Sequence, residues 1–275
     1  MKEIIEVAVK EPMYAMIENV TFAQVPYWFP FCNYRDLKMD IIRPFGPAEK
    51  RPLLVWVCGG GFLTMEKGAY IPYLTYYVER GYVVASVEYR LSNSARYPSN
   101  LEDVKAAIRY LRAHAEVYGI DPRYVGIMGE SAGGYLAAMA GATGREPRFD
   151  VGENLGESSA VQAVVDFYGP SGINRGDGLD GAAEQLVPKG TPVTDAEREA
   201  VTFMDENTPP YYLLHGTKDP FIPVVLSEKF YEQMEVCGVP CQLSVIEGAG
   251  HADPRFYQNE ISAKVLAFLD RYLKV

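Results

Sequence analysis

The chain has 275 residues, 48% hydrophobic and 23% charged, enough for one large α/β domain or two small ones with a sizeable core. A formal net charge of −10 argues against nucleic acid or an anionic membrane as a partner and leaves neutral substrates open. No stretch approaches the roughly 18 apolar residues of a membrane span, and Glu3 and Glu6 interrupt the amino end where a signal peptide needs an apolar run, so a cytoplasmic location is expected, with a removed leader left open.

In chain order, residues 20–23 and the alternating residues 37–43, closed by Pro44, read as the opening strands. Between them Pro26, Tyr27, Trp28, Phe29, Pro30 and Phe31 form a proline-bracketed aromatic cluster. It either packs under the edge of the fold or walls a substrate pocket or a contact between copies in a homo-oligomer. Residues 53–58 are a continuous apolar run, the mark of a strand buried on both faces, and open into Gly59, Gly60, Gly61 and Phe62. Residues 82–87 are a second such strand, and residues 66–80 supply the crossover helix that a parallel pair requires.

Ser99 followed by Glu102 reads as a capping box. Leu101, Val104, Ile108, Leu111, Ala115 and Tyr118 then recur at helical spacing up to Gly119. Asp121 and Pro122 turn the chain into residues 125–138: an apolar strand, a sharp turn carrying Ser131, and a helix of small residues. Residues 161–167 form the next strand. Residues 170–208, rich in Gly, Pro, Asp and Thr, break the rhythm, with a helix expected near 194–204; an insertion of this size covers or shapes a site. Residues 211–215 and 242–246 are the last strands, with helices near 223–237 and 255–273. The alternation predicts a single doubly wound α/β domain over residues 1–275, its mostly parallel sheet covered by helices on both faces.

Gly129-Glu130-Ser131-Ala132-Gly133 fits the G-x-S-x-G turn that presents a nucleophilic serine between a strand and a helix. The flanking glycines have a steric reason, since strand and helix approach too closely there for a Cβ. The helix N-terminus then points its positive dipole end to where an oxyanion would form. A serine hydroxyl needs a base within hydrogen-bond reach, and the chain has three histidines. His114 lies mid-helix and His215 ends a strand, both structural positions. His251, in a glycine-rich loop between the last strand and the last helix, lies at the carboxyl edge, where open α/β sheets place their sites. It is the expected base. Asp219, on the loop after the strand ending at His215, is the expected acid. Asp166 lies within its strand rather than beyond it, and Asp253 is too close in sequence to brace His251. The order Ser131, Asp219, His251 matches the chain order of the α/β-hydrolase triad. Cys32, Cys58, Cys237 and Cys241 have neither zinc nor redox spacing and read as reduced thiols.

On Gly59-Gly60-Gly61-Phe62, Glu88-Tyr89-Arg90-Leu91, residues 124–134, His215-Gly216-Thr217-Lys218-Asp219 and Gly250-His251, the chain resembles the α/β-hydrolase serine esterases, especially the hormone-sensitive-lipase-like and rumen-type carbohydrate esterase groups. The resemblance spans nearly everything after residue 35. It implies the α/β-hydrolase fold with a cap-like insertion over the site. It also implies a serine esterase with Ser131, Asp219 and His251 as triad and the amides of Gly60, Gly61 and Ala132 as oxyanion hole. No metal or organic cofactor is implied. Expected substrates are short-chain acyl esters, among them acetyl or feruloyl esters of plant-polysaccharide fragments, with Phe62 and Trp28 as bulky pocket walls. The glycine loop of that family usually begins with histidine, and here Cys58 stands there; Glu88 is expected as a supporting carboxylate near Arg90. An aryl-formamidase or peptidase would use the same triad. A non-catalytic ligand receptor of this fold is the rival of another class, disfavoured by the intact triad.

Overall fold

The apolar runs become strands whose side chains alternate strictly between two faces. Leu53, Val55 and Val57 face one core, while Leu54, Trp56 and Cys58 face the other. The computed structural model describes residues 1–9, 12–26, 34–45, 49–174, 179–188 and 191–274. Among them the strands are β1 (Tyr14–Pro26), β2 (Tyr34–Pro44), β3 (Arg51–Val57), β4 (Val83–Val87), β5 (Ile120–Glu130), β6 (Ala163–Phe167), β7 (Tyr211–Gly216) and β8 (Cys241–Ile246). They form one sheet in the order β1-β2-β4-β3-β5-β6-β7-β8. β1 and β2 run antiparallel and β2 pairs antiparallel with β4; the remaining pairs are parallel.

The helices are α1 (Ile71–Val78), α2 (Ser99–Ala113), α3 (Ala115–Tyr118), α4 (Ala132–Ala142), α5 (Asp180–Leu186), α6 (Val225–Val236) and α7 (Asn259–Leu273). α1 and α7 bury Leu74, Val78, Val265 and Leu269 on one face of the sheet, and α2, α4 and α6 cover the other. β3 has β4 on one side and β5 on the other, so the strand order reverses at β3. At such a switch point the loops beyond the carboxyl ends diverge and leave a crevice. Val57 pairs with Gly129, which places the glycine loop after β3 beside the serine turn after β5.

Local chemistry departs from expectation in four places. Ser99 is already helical: Pro98 occupies the cap position, no side chain caps the helix, and Glu102 reaches Arg90 at 3.5 Å instead. The long helical run breaks at His114, which separates α2 from α3, stacks on Tyr110 with ring centroids 4.1 Å apart and bonds the Tyr110 carbonyl. Glu88 does not support Arg90. It accepts the Lys38 amide at 3.1 Å and approaches Arg35, while Arg90 pairs with buried Asp103 at 2.8 Å. In the insertion the regular helix is α5, and residues 194–204 hold two short 3-10 turns tied to the body by hydroxyl bonds from Tyr97 to the Glu197 carbonyl and from Tyr135 to the Arg198 carbonyl. No helix among the described residues is long and apolar enough to cross a membrane.

Candidate active site

The serine turn is built by close backbone approach. A Cβ on Gly129 would lie 2.2 Å from the Gly133 carbonyl, and one on Gly133 would lie 2.0 Å from the Val57 carbonyl. All residues of α4 are buried, and small side chains let it sit this close to the sheet. Ser131 is left at φ 54°, ψ −122°, a conformation costly for any residue with a side chain. The surrounding structure enforces it: the Ser131 amide donates to the Phe167 carbonyl at 2.9 Å, and its carbonyl accepts from Tyr135 at 3.1 Å.

Adjacent β7 and β8 end in register at Gly216 and Ile246, so the loops that follow carry Asp219 and His251 to the same edge. His251 Nε2 lies 2.9 Å from Ser131 Oγ, and Nδ1 lies 2.7 Å from Asp219 Oδ2. A carboxylate only accepts, so Nδ1 carries the proton and Nε2 is free to accept from the serine. Asp219 Oδ1 accepts the amides of Phe221 and Ile222, each at 2.9 Å. Its side chain is fully buried. Burial alone would raise its pKa, but hydrogen bonds from His215, His251 and the two amides outweigh it and hold the carboxyl well below the usual range.

The other candidates have structural partners. His215 is buried between Ser227 Oγ and the Ile222 carbonyl, with Nε2 3.4 Å from Asp219 Oδ2. Asp166 lies beneath α4, accepts the Gly169 amide at 2.8 Å, and is pushed up to about 7 by burial. Asp253 caps the 3-10 turn that follows it and pairs with Arg255.

Gly60, at φ 122°, gives the glycine loop its course, and a Cβ there would strike the Thr64 carbonyl at 2.1 Å. Its carbonyl accepts the amides of Leu63 and Thr64 at 3.1 Å each. Among the described residues the amides of Gly60 and Gly61 donate to no backbone or side-chain acceptor, and both residues line the cavity above Ser131. Ala132, the first residue of α4, adds an amide that no intrahelical acceptor satisfies. Cys58 is buried; desolvation and the neighbouring Glu130 charge push its thiol up to about 12, so it is not a ready nucleophile.

The cavity measures about 530 Å³. Phe62 lines it with its ring edge-on to Tyr135 at 5.8 Å, while Trp28 lies outside the described residues. Sequence reasoning missed Tyr70 from the segment before α1, Ile173, Leu179 and Ala182 from the insertion, and Phe221, whose ring stands edge-on to His251 at 5.5 Å. Phe221 had a usable signal in its place two residues after Asp219; the insertion was expected over the site as a segment, but no pattern singled out Ile173, Leu179 or Ala182 within it, because tertiary folding decides which of its residues face the serine. Among the described residues no group of three or more His, Cys, Asp and Glu side chains is placed to hold a metal ion.

Residues 39–234 match the family described as BD-FAE. The esterase LipC of Mycobacterium tuberculosis is 29% identical over 74% of this chain and 54% of its own length. The chain spans about half the length of such curated relatives. A truncated carbohydrate esterase from gut microbiota superposes with a TM-score of 0.83 over 98% of this chain and 99% of that one, at 24% identity. The Thermogutta terrifontis esterase Est2, in a butyrate-bound structure, gives a TM-score of 0.71 at 28% identity, covering 86% and 88% of the two chains.

Proposed function

The chain belongs to the BD-FAE family and has the α/β-hydrolase fold of the serine esterases, and from that premise we propose that it hydrolyses carboxylic esters through an acyl-enzyme on Ser131. The observation that carries the reading is the continuous hydrogen-bond chain Ser131–His251–Asp219 at the floor of a cavity lined by unpaired amides. His251 Nε2 takes the hydroxyl proton as Oγ attacks the carbonyl carbon. The carbonyl π electrons move onto oxygen, and the amides of Gly60, Gly61 and Ala132 receive that charge. Ionised Asp219 keeps the imidazole in the required tautomer and stabilises the imidazolium. The alcohol leaves with the proton from His251, and water then repeats the sequence on the acyl-enzyme. Nothing in these steps calls on a cofactor.

The substrate we propose is a neutral ester with a short or flat acyl group, including acetyl or feruloyl esters of polysaccharide fragments. Support comes from the walls, where Phe62, Tyr70, Ile173, Leu179 and Phe221 offer apolar contact and, among the described residues, no lysine or arginine lines the cavity. The butyrate bound by Est2 is consistent with a short acyl group. A panel of acetyl, butyryl, octanoyl and feruloyl p-nitrophenyl esters, together with acetylated xylan fragments, tests the assignment. Acetyl to butyryl should exceed octanoyl in kcat/KM, and a serine-directed phosphonate should label Ser131. A kcat/KM that climbs steadily to octanoyl refutes the short-chain reading; a folded protein that neither labels nor turns over any ester refutes the hydrolase reading.

A further inference from the structure

Glu130 is a buried carboxylate next to the nucleophile that the mechanism above leaves without a role. It is the last residue of β5, and its side chain turns across to the carboxyl end of β3. There Oε1 accepts the Gly59 amide and, at 3.8 Å, the Cys58 thiol. The fit leaves no slack, since a Cβ on Gly59 would lie 2.5 Å from Oε1 and 2.7 Å from the Glu130 carbonyl. A thiol is a weak donor, so the Gly59 amide carries most of the tie. The loop's other bonds go elsewhere: Tyr89 donates to the Cys58 carbonyl at 2.8 Å, Ser92 to the Phe62 carbonyl, and Leu63 and Thr64 back to Gly60. Those bonds hold the loop to itself or to the segment after β4. Among the described residues the Glu130 side chain supplies the hydrogen bonds that join the loop to the strand bearing the serine.

We propose that Glu130 is a positioning residue for ester hydrolysis: by gripping Gly59 from the serine's own strand, it sets the spacing between the Gly60 and Gly61 amides and Ser131 Oγ. The inference rests on the serine-hydrolase reading above. The groups facing the carboxyl are the Cys58 thiol, the tyrosines at 70, 89, 168 and 257, and the His251 imidazole. Burial raises Glu130 while the Gly59 amide and the His251 charge lower it, and an oxygen acceptor faces Gly59 in either protonation state.

The test compares Glu130→Ala, Glu130→Gln and Glu130→Asp by kcat, KM, pH profile and affinity for an alkyl trifluoromethyl ketone. Ser131 Oγ adds to the ketone carbon, the carbonyl π electrons become the oxyanion, and His251 keeps the serine proton. Removing the acceptor should lower kcat by about 10², the scale of one lost oxyanion donor, with KM within threefold. Ketone affinity should fall with kcat/KM, while affinity for the product acid should not change. Gln keeps an oxygen in reach and should recover to within tenfold of wild type with an unchanged pH profile; Asp, one methylene short, should stay impaired. An alanine variant within threefold of wild type overturns the proposal. So does a glutamine variant as slow as alanine, or one slower than aspartate, because the charge and not the acceptor would then matter. If the alanine variant fails to fold, the glutamine and aspartate pair decides alone. A wild type that neither labels nor turns over would instead strike at the hydrolase reading.

Discussion

Replacing Asp219 by Asn removes a charge while keeping the side-chain outline, and the structure dictates how the new amide must sit. The amides of Phe221 and Ile222, each 2.9 Å from Oδ1, require an acceptor at that atom, so the Asn carbonyl oxygen takes it. The NH₂ group then occupies the place of Oδ2, 2.7 Å from His251 Nδ1 and 3.4 Å from His215 Nε2. Facing an N–H donor, it forces His251 to move its proton to Nε2, which can then no longer accept from Ser131. A charge-assisted hydrogen bond of about 1.5–3 kcal/mol is lost, and the wrong tautomer adds a cost of similar size. Together they amount to about 4 kcal/mol, or about 10³ in kcat at 1.36 kcal/mol per tenfold. The assay is kcat on p-nitrophenyl acetate with far-UV circular dichroism to verify the fold and with the rate of phosphonate labelling. An Asp219→Asn enzyme that is folded and within tenfold of wild type refutes the reasoning, most directly if Asp166→Asn is inactive.

Ser131→Ala should take no phosphonate label and lose about 10³ or more in kcat, read by mass spectrometry and initial rates. Asp166 is raised to about 7, above its unfolded value near 3.9, so the fold disfavours its ionised form. Its contribution to stability is complete below about pH 4 and falls as pH rises towards about 7. Asp166→Asn should therefore gain on wild type in Tm between about pH 5 and about pH 8 while keeping activity within tenfold, and a constant Tm difference would contradict this. Cys58→Ala should cost less than tenfold in kcat/KM, because the thiol is the weaker of the two donors to Glu130; a folded variant as slow as Ser131→Ala would show that the sulfur takes part in the chemistry.

The residues of the hydrogen-bonded chain Ser131–His251–Asp219 were legible because each sits where a local pattern meets the sheet's carboxyl edge. Apolar runs announce buried strands, and the residues just past their ends have nowhere to lie but that edge. Ser131, Asp219 and His251 follow from this rule and from elimination among three histidines. The glycines flanking Ser131 were readable for the same reason, since close approach of strand and helix tolerates nothing larger. The capping box and the insertion helix misled because short polar patterns at residues 99–102 and 194–204 are weak, and tertiary contacts outbid them: Glu102 serves Arg90, and residues 196–203 are held by Tyr97 and Tyr135.

The linear pattern thus determined the order of strands and helices, the serine turn, and the loops that carry Asp219 and His251, all of which depend on neighbours a few residues apart. Tertiary structure decided how those loops approach one another and which side chains of the insertion reach the cavity. The reversal of strand order at β3 sets the glycine loop beside Ser131, and the return of the insertion brings Ile173, Leu179 and Ala182 over the cavity. It also decided what Glu130 does, because its partner lies 71 residues away along the chain, and no periodicity reaches across a sheet to name the amide a buried carboxylate will find.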